Sequence, residues 1–247
     1  MSGEGNRAAV VERKRRAAEM FVARLLESPA RPYVACVLLH GSAASRKARP
    51  ESDVDLLVFR TDGSGIVERA CDEASFQVAL ETAESVEPLV YSVNERRYPA
   101  SYFLYRAIRE GEVLYAMSAE ELRREEIRGL QELAAEYLEG AQEMARQGRY
   151  RLAVDLAYNA AELVVKGMVL LKAERLPKTH GGLVGRFGEL YVRTGELSAE
   201  IGRRLREALR YRNLARYDRS AVVGPAEAEA VIRLAEELGR ELETRAL

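Results

Sequence analysis

Hydrophobic positions follow two different regimes along this 247-residue chain, with the change near residue 117. In the first regime, short apolar runs alternate with amphipathic segments. Asn6 to Glu27 repeats apolar residues at helical spacing, with Val11, Ala18, Phe21, Val22 and Leu25 on one stripe. Ser28-Pro29 and Arg31-Pro32 end it. Val34–Leu39 and Val54–Phe59 have the length and branched, apolar character of buried strands. Thr61-Asp62-Gly63-Ser64-Gly65 reads as a turn and Ile66 to Leu80 as a short helix. Val86–Tyr91 predicts a third strand, placed at an edge because Pro88 has no N–H to give a ladder. A helix over Tyr98–Arg109 and an extended piece over Gly111–Tyr115 complete this half.

After Met117 no strand pattern remains. Ser118 followed by acids opens a long helix with the stripe Ile127, Leu130, Leu133, Tyr137, Leu138, Ala141 and Met144. Gly148 breaks the pattern, and Tyr150–Glu174 resumes it. Pro177–Gly182 reads as a loop, followed by helical segments near Leu183–Thr194, Ser198–Arg216 and Pro225–Thr244. The expectation is an α+β chain: a small mixed-sheet domain over 1–117, then an all-α antiparallel helical bundle over 118–247.

Composition narrows the class without naming a chemistry. Hydrophobic residues make up 47% and charged residues 31%, as in soluble globular proteins. No apolar run approaches bilayer length, and MSGEGNRAAVVERKRR has no apolar core behind its charges, so a cytoplasmic location is expected. Two cysteines, Cys36 and Cys71, do not make a disulfide framework. A net charge of −1 excludes a global field that would recruit nucleic acid.

The chemistry lies between the first two strands. Gly41-Ser42 follows the first, ten residues intervene, and Asp53-Val54-Asp55 opens the second. Residues two apart on a strand leave the same face, so Asp53 and Asp55 place two carboxylates side by side. They repel unless a cation lies between them. Mg²⁺ is the natural choice, a hard ion held by a few carboxylates together with substrate phosphates. A Gly-Ser turn offers phosphates close backbone approach, free N–H groups and a hydroxyl.

Gly-Ser, a ten-residue spacer from Ala43 to Ser52, and Asp-x-Asp between two strands resemble the nucleotidyltransferase superfamily related to DNA polymerase beta. The spacer length is that of the minimal nucleotidyltransferases that pair with HEPN domains. The resemblance implies that Asp53 and Asp55 ligate Mg²⁺ and that Gly41 and Ser42 cradle the phosphates of a nucleoside triphosphate, with ATP the expected donor. A third carboxylate comes from a neighbouring strand in that family. Glu87 is the candidate here; the alternative is an edge-strand glutamate facing water. Arg46, Lys47 and Arg49 lie in the spacer, where cations neutralise charge developing on a leaving pyrophosphate. His40 is read as a strand-end residue rather than a base.

The late segment from Arg203 to Arg219 resembles the signature helix of a HEPN domain. Active HEPN ribonucleases carry an arginine followed by a histidine four to six residues on. Arg212-Asn213 and Tyr217-Asp218 match parts of that pattern, but the helix has no histidine, so the ribonuclease acid–base group is missing. A nucleotide- or acceptor-binding role is expected instead. Arg212 and Arg216 share a face, suited either to a phosphate-bearing acceptor or to pairing with acids of the bundle. Tyr217 stands where a HEPN tyrosine is adenylylated in related two-protein modules.

Together the resemblances imply transfer of a nucleoside monophosphate, AMP from ATP, to an acceptor hydroxyl on a protein tyrosine, an RNA end or a small molecule. The same two-part layout occurs in kanamycin-type nucleotidyltransferases. The alternative is a fused toxin–antitoxin-like module that binds nucleotide or RNA with little catalysis. A ribonuclease using His180 instead is a third reading. By resemblance, a homodimer is the preferred assembly.

Overall fold

The computed structural model describes residues 2–61 and 63–246, with side chains from residue 8 onward. Asp62 of the expected turn therefore lies outside the described residues, as do the terminal residues of the two expected domains. The chain divides into two compact units, Met1–Glu125 and Glu126–Leu247.

The first unit is built on a four-stranded mixed sheet. Its strands are β1 (Val34–Leu39), β2 (Val54–Arg60), β3 (Val86–Ser92) and β4 (Glu112–Ala116), in the order β3-β2-β1-β4. β1 is antiparallel to both β2 and β4, whereas β2 and β3 run parallel. The parallel step needs a crossover, which is helix α3 (Ile66–Thr82). Pro88 does sit on an edge strand, where a missing N–H costs no internal ladder bond.

The alternation of β2 decides what each face of the sheet carries. Val54, Leu56 and Val58 pack under α1 (Ser2–Glu27) and α3, against Ala18, Phe21, Leu25, Val67 and Val78. Leu57 and Phe59 point the other way, into a smaller cluster with Cys36, Leu38, Leu104 and Ala107. Leu104 and Ala107 belong to α5 (Tyr102–Glu110), so α5 covers this second face. By the same period of two, Asp55 emerges on the α5 side, with Asp53 just before the strand begins.

Three local expectations are corrected. The Gly41-Ser42 turn is helical: Gly41–Ala44 forms a short helix, α2. The helix expected over Tyr98–Arg109 is a single helix that starts later, at Tyr102, and a separate short helix precedes it. Ser92 and Glu95 make a reciprocal capping box that starts α4 (Val93–Arg97), and Ser101 caps α5 afresh, accepting from the Leu104 N–H. Pro99, between them, cannot continue a helix.

Every regular element of the second unit is helical among its described residues. It comprises the C-terminal part of α6 (Ala119–Arg146), with α7 (Tyr150–Lys172), α8 (His180–Phe187), a π-helical turn over Gly188–Val192, α9 (Ala199–Tyr217) and α10 (Pro225–Ala246). α7 is the buried centre, carrying Ala157, Ala161, Val165, Met168 and Val169. Gly167 lets α10 approach it closely, since a Cβ there would meet Leu242 Cδ2 at 2.7 Å. The loop expected at Pro177–Gly182 is shorter than its glycines suggest. Thr179 caps α8 by accepting from the Gly182 N–H, so His180 opens a helix.

Candidate active site

Gly41 is the tightest point of the first unit. It has φ +70°, a left-handed conformation that favours glycine. A Cβ added there would sit 2.2 Å from Asp55 Oδ2. The glycine of Gly41-Ser42 therefore does two things: it turns the chain and leaves room for the Asp55 carboxylate. The His40 N–H donates to the Asp55 carbonyl at 3.0 Å, which pins the end of β1 to the start of β2. Within the turn, Ser45 Oγ donates to the Gly41 carbonyl at 2.9 Å and the Lys47 N–H to the Ser42 carbonyl at 2.8 Å.

The charges around this turn are unbalanced. Asp53 and Asp55 are both half-buried. Burial pushes the Asp55 carboxyl above its ordinary pKa; His40 opposes the shift and Asp53 adds to it. Burial also lowers the His40 pKa, against the attraction of Asp55. The imidazole is buried, meets Phe103 edge-on at 5.6 Å between ring centroids, and its Nε2 has no hydrogen-bond partner.

The donor set fits Mg²⁺ in its usual mode of one or two carboxylates plus substrate oxygens. Two half-buried carboxylates, one of them held back from ionising by burial and by its neighbour, are stabilised by a cation. A closed three-carboxylate cage is not formed: among the described residues no group of three His, Cys, Asp or Glu side chains could hold a metal ion. Glu87 is the parallel register partner of Asp55, on the same face of the sheet, and its side chain is exposed. Arg46, Lys47 and Arg49 are also exposed, and Arg46 has φ +57°.

Next to the turn lies a cavity of about 580 Å³, bounded on one side by His40, Gly41 and Lys47 and on the other by Tyr102, Phe103 and Arg106 of α5. The motif gave no sign of this wall, because α5 lies some sixty residues further along the chain.

In the second unit, Arg212 is buried and Arg216 half-exposed, and both converge on Asp155 of α7, at 3.5 Å and 3.7 Å. The Arg212 guanidinium also lies 5.9 Å from the centre of the Tyr158 ring and 5.6 Å from that of Tyr217. Tyr217 is 72% exposed. His180 pairs with Glu162, and its ring lies 6.4 Å from Tyr158. Burial alone would raise the Glu162 carboxyl, but Lys166 and His180 outweigh it and hold it below the ordinary range. Asp155, Tyr158 and Glu162 recur on α7 at helical spacing, a signal that sequence reading did not use.

A turn that presses glycine against the second aspartate of an Asp-x-Asp strand, followed by a helical bundle, defines a nucleotidyltransferase domain joined to an all-α domain. Comparison with known families bears this out. The family described as "Polymerase beta, Nucleotidyltransferase" matches residues 26–120, and the HEPN domain family matches residues 127–244. A candidate toxin of Methanocaldococcus jannaschii is 33% identical over 107 residues, covering 43% of this chain and 72% of that protein. The chain belongs to the polymerase-beta-type nucleotidyltransferases and carries a HEPN domain after the nucleotidyltransferase domain.

Proposed function

We propose that this protein is a Mg²⁺-dependent nucleotidyltransferase that moves a nucleoside monophosphate, AMP from ATP, onto an acceptor hydroxyl. The helical domain binds the acceptor or the nucleotide. The close fit of Gly41 against Asp55 carries this reading, because it joins the phosphate turn and the carboxylate pair in one rigid unit. The acceptor oxygen attacks the α-phosphate in line, its bond to phosphorus forms as the bond to pyrophosphate breaks, and the acceptor proton is lost. Asp53 and Asp55 would hold the metal, and Glu87 lies on the neighbouring strand outside that pair. Bound Mg²⁺ supplies charge stabilisation at the attacking and leaving oxygens. Gly41 and Ser42 bind and orient the phosphates, and Arg46, Lys47 and Arg49 offset the charge of the leaving group.

The test is transfer of label from [α-³²P]ATP with Mg²⁺, comparing wild type with the Asp53→Asn, Asp55→Asn double variant. Labelled product or labelled protein from wild type alone is the expected result. ATP binding equally well to both proteins would overturn the metal-site reading.

A second reading is favoured by the state of the HEPN helix. Arg212 and Arg216 share the single carboxylate of Asp155, which offsets one of their two charges, and the motif histidine is absent from that helix. Together with the candidate-toxin relative, this supports a fused toxin–antitoxin-like regulator that binds nucleotide. Tight ATP binding without transfer to protein, RNA or small-molecule acceptors supports it over the enzyme.

A further inference from the structure

We propose that the cavity beside the Gly41-Ser42 turn is the pocket for the donor's nucleobase. Phe103 and Tyr102 supply the stacking surface, and His40 supplies a polar contact to the ring edge. This rests on the reading of the turn and the aspartates as a triphosphate site.

Four observations converge. First, one wall of the cavity is the phosphate turn itself, so a ligand with phosphates at Ser42 can fill the cavity without leaving that segment. Its volume, about 580 Å³, is in the range that accepts a small-molecule ligand.

Second, two neighbouring aromatic rings remain open at its edge. Tyr102 is 75% exposed and Phe103 48% exposed on the first turn of α5. Aromatic rings left in water beside a phosphate site suit a planar heteroaromatic ring, which every base provides.

Third, the opposite wall is close to neutral. Arg106 forms a bidentate pair with Glu110 one turn further along α5. A phosphorylated or strongly acidic acceptor would gain little there, whereas a neutral base loses nothing.

Fourth, His40 lines the cavity, is 92% buried by its 8% exposure, and leaves Nε2 without a partner. Buried polar atoms are nearly always satisfied, and a ligand atom bound beside His40 can satisfy this unpaired nitrogen. A base edge carries both donors and acceptors, and the nitrogen can meet either according to its tautomer.

The experiment measures binding to the full chain in Mg²⁺ by calorimetry, with two probes, ATP and inorganic tripolyphosphate. Phe103→Ala is expected to weaken ATP by about ten- to hundredfold and leave tripolyphosphate unchanged. Phe103→Tyr should bind both as wild type does. Tyr102→Ala, at a mostly exposed position, should also weaken ATP selectively and decides the matter if Phe103→Ala fails to fold.

Unchanged ATP affinity in Phe103→Ala and Tyr102→Ala overturns the base pocket while leaving the triphosphate site standing. So does equal weakening of both probes, which would make the ring a support for the turn. If wild type binds neither probe better than the Asp53→Asn, Asp55→Asn variant does, the triphosphate reading itself fails and the base pocket falls with it.

Discussion

Lys14 is the sharpest test of how the first unit holds the strand ends beside the site. Its side chain is 3% exposed and pairs with Glu84, which is 4% exposed; Lys14 Nζ also donates to the Pro50 carbonyl at 3.0 Å. One buried ammonium thus joins α1, the segment before β3 and the spacer that leads into Asp53. Lys14→Met keeps the apolar stem and removes the charge. It leaves Glu84 buried with one cationic partner, Arg13, which is half-exposed. Breaking a buried pair by removing one member costs about 3–5 kcal/mol. Because Arg13 remains, the lower end applies, about 3 kcal/mol. The double variant Lys14→Met, Glu84→Gln removes the stranded charge and should recover at least half of that loss, a coupling that a double-mutant cycle measures. Hydrogen exchange of the β1 amides under native conditions is the suitable assay, because it reads this unit separately in a chain that need not unfold in one step. Protection of Val37 and Leu38 should fall by about a hundredfold in the single variant. Protection within threefold of wild type, or a double variant weaker than the single, would refute the reasoning.

Three further outcomes follow from the structure. Gly41→Ala should abolish nucleotidyl transfer, since its Cβ would overlap Asp55 Oδ2 at 2.2 Å and its φ is +70°. Gly148→Ala, with a similar φ of +71° and nothing within 4 Å, should cost about 1–2 kcal/mol in a thermal melt and spare activity; full activity in Gly41→Ala refutes the first. Burial pushes the Cys71 thiol up to about 12 from an ordinary 9.0, so the folded chain binds its proton more tightly than the unfolded one. That contribution to stability is complete below pH 9 and is lost as pH rises towards 12. Disulfide-exchange reagent at pH 8 should therefore find both buried cysteines only after denaturation, and rapid labelling of either in the native protein contradicts it.

The elements most legible in the sequence were those whose signal is local. Val34–Leu39 and Val54–Phe59 are dense enough in apolar residues to read as strands, and Pro88 correctly marked an edge. Serines at 118 and 198 announced their helices: Ser118 and Glu121 exchange a capping box, and Ser198 accepts from the Ile201 N–H. The errors also had local causes that were misweighed. The Ser92–Glu95 box was hidden behind a strand, and the glycines at 181 and 182 outweighed the Thr179 cap. What stayed hidden depends on distance along the chain. Lys14 and Glu84 are 70 residues apart, and neither looks unusual alone. His40 was visible as a residue, but its cavity was not, because Phe103 comes from another segment. Asp155 looked like an ordinary helix-surface acid until α9 brought Arg212 to it.

The strand order β3-β2-β1-β4 has a consequence for how the protein is made. β1 is fully buried, yet one of its two neighbours, β4, comes roughly 70 residues later in the chain. At synthesis rates of about 5–20 residues per second, that delay lasts roughly 4–14 seconds. During that interval Val34–Leu39 can pair with β2 while its other side is bare, a ready template for any extended peptide nearby. The ribosome thus releases a buried central strand early and its cover late, and that strand keeps one bare edge until Glu112 emerges.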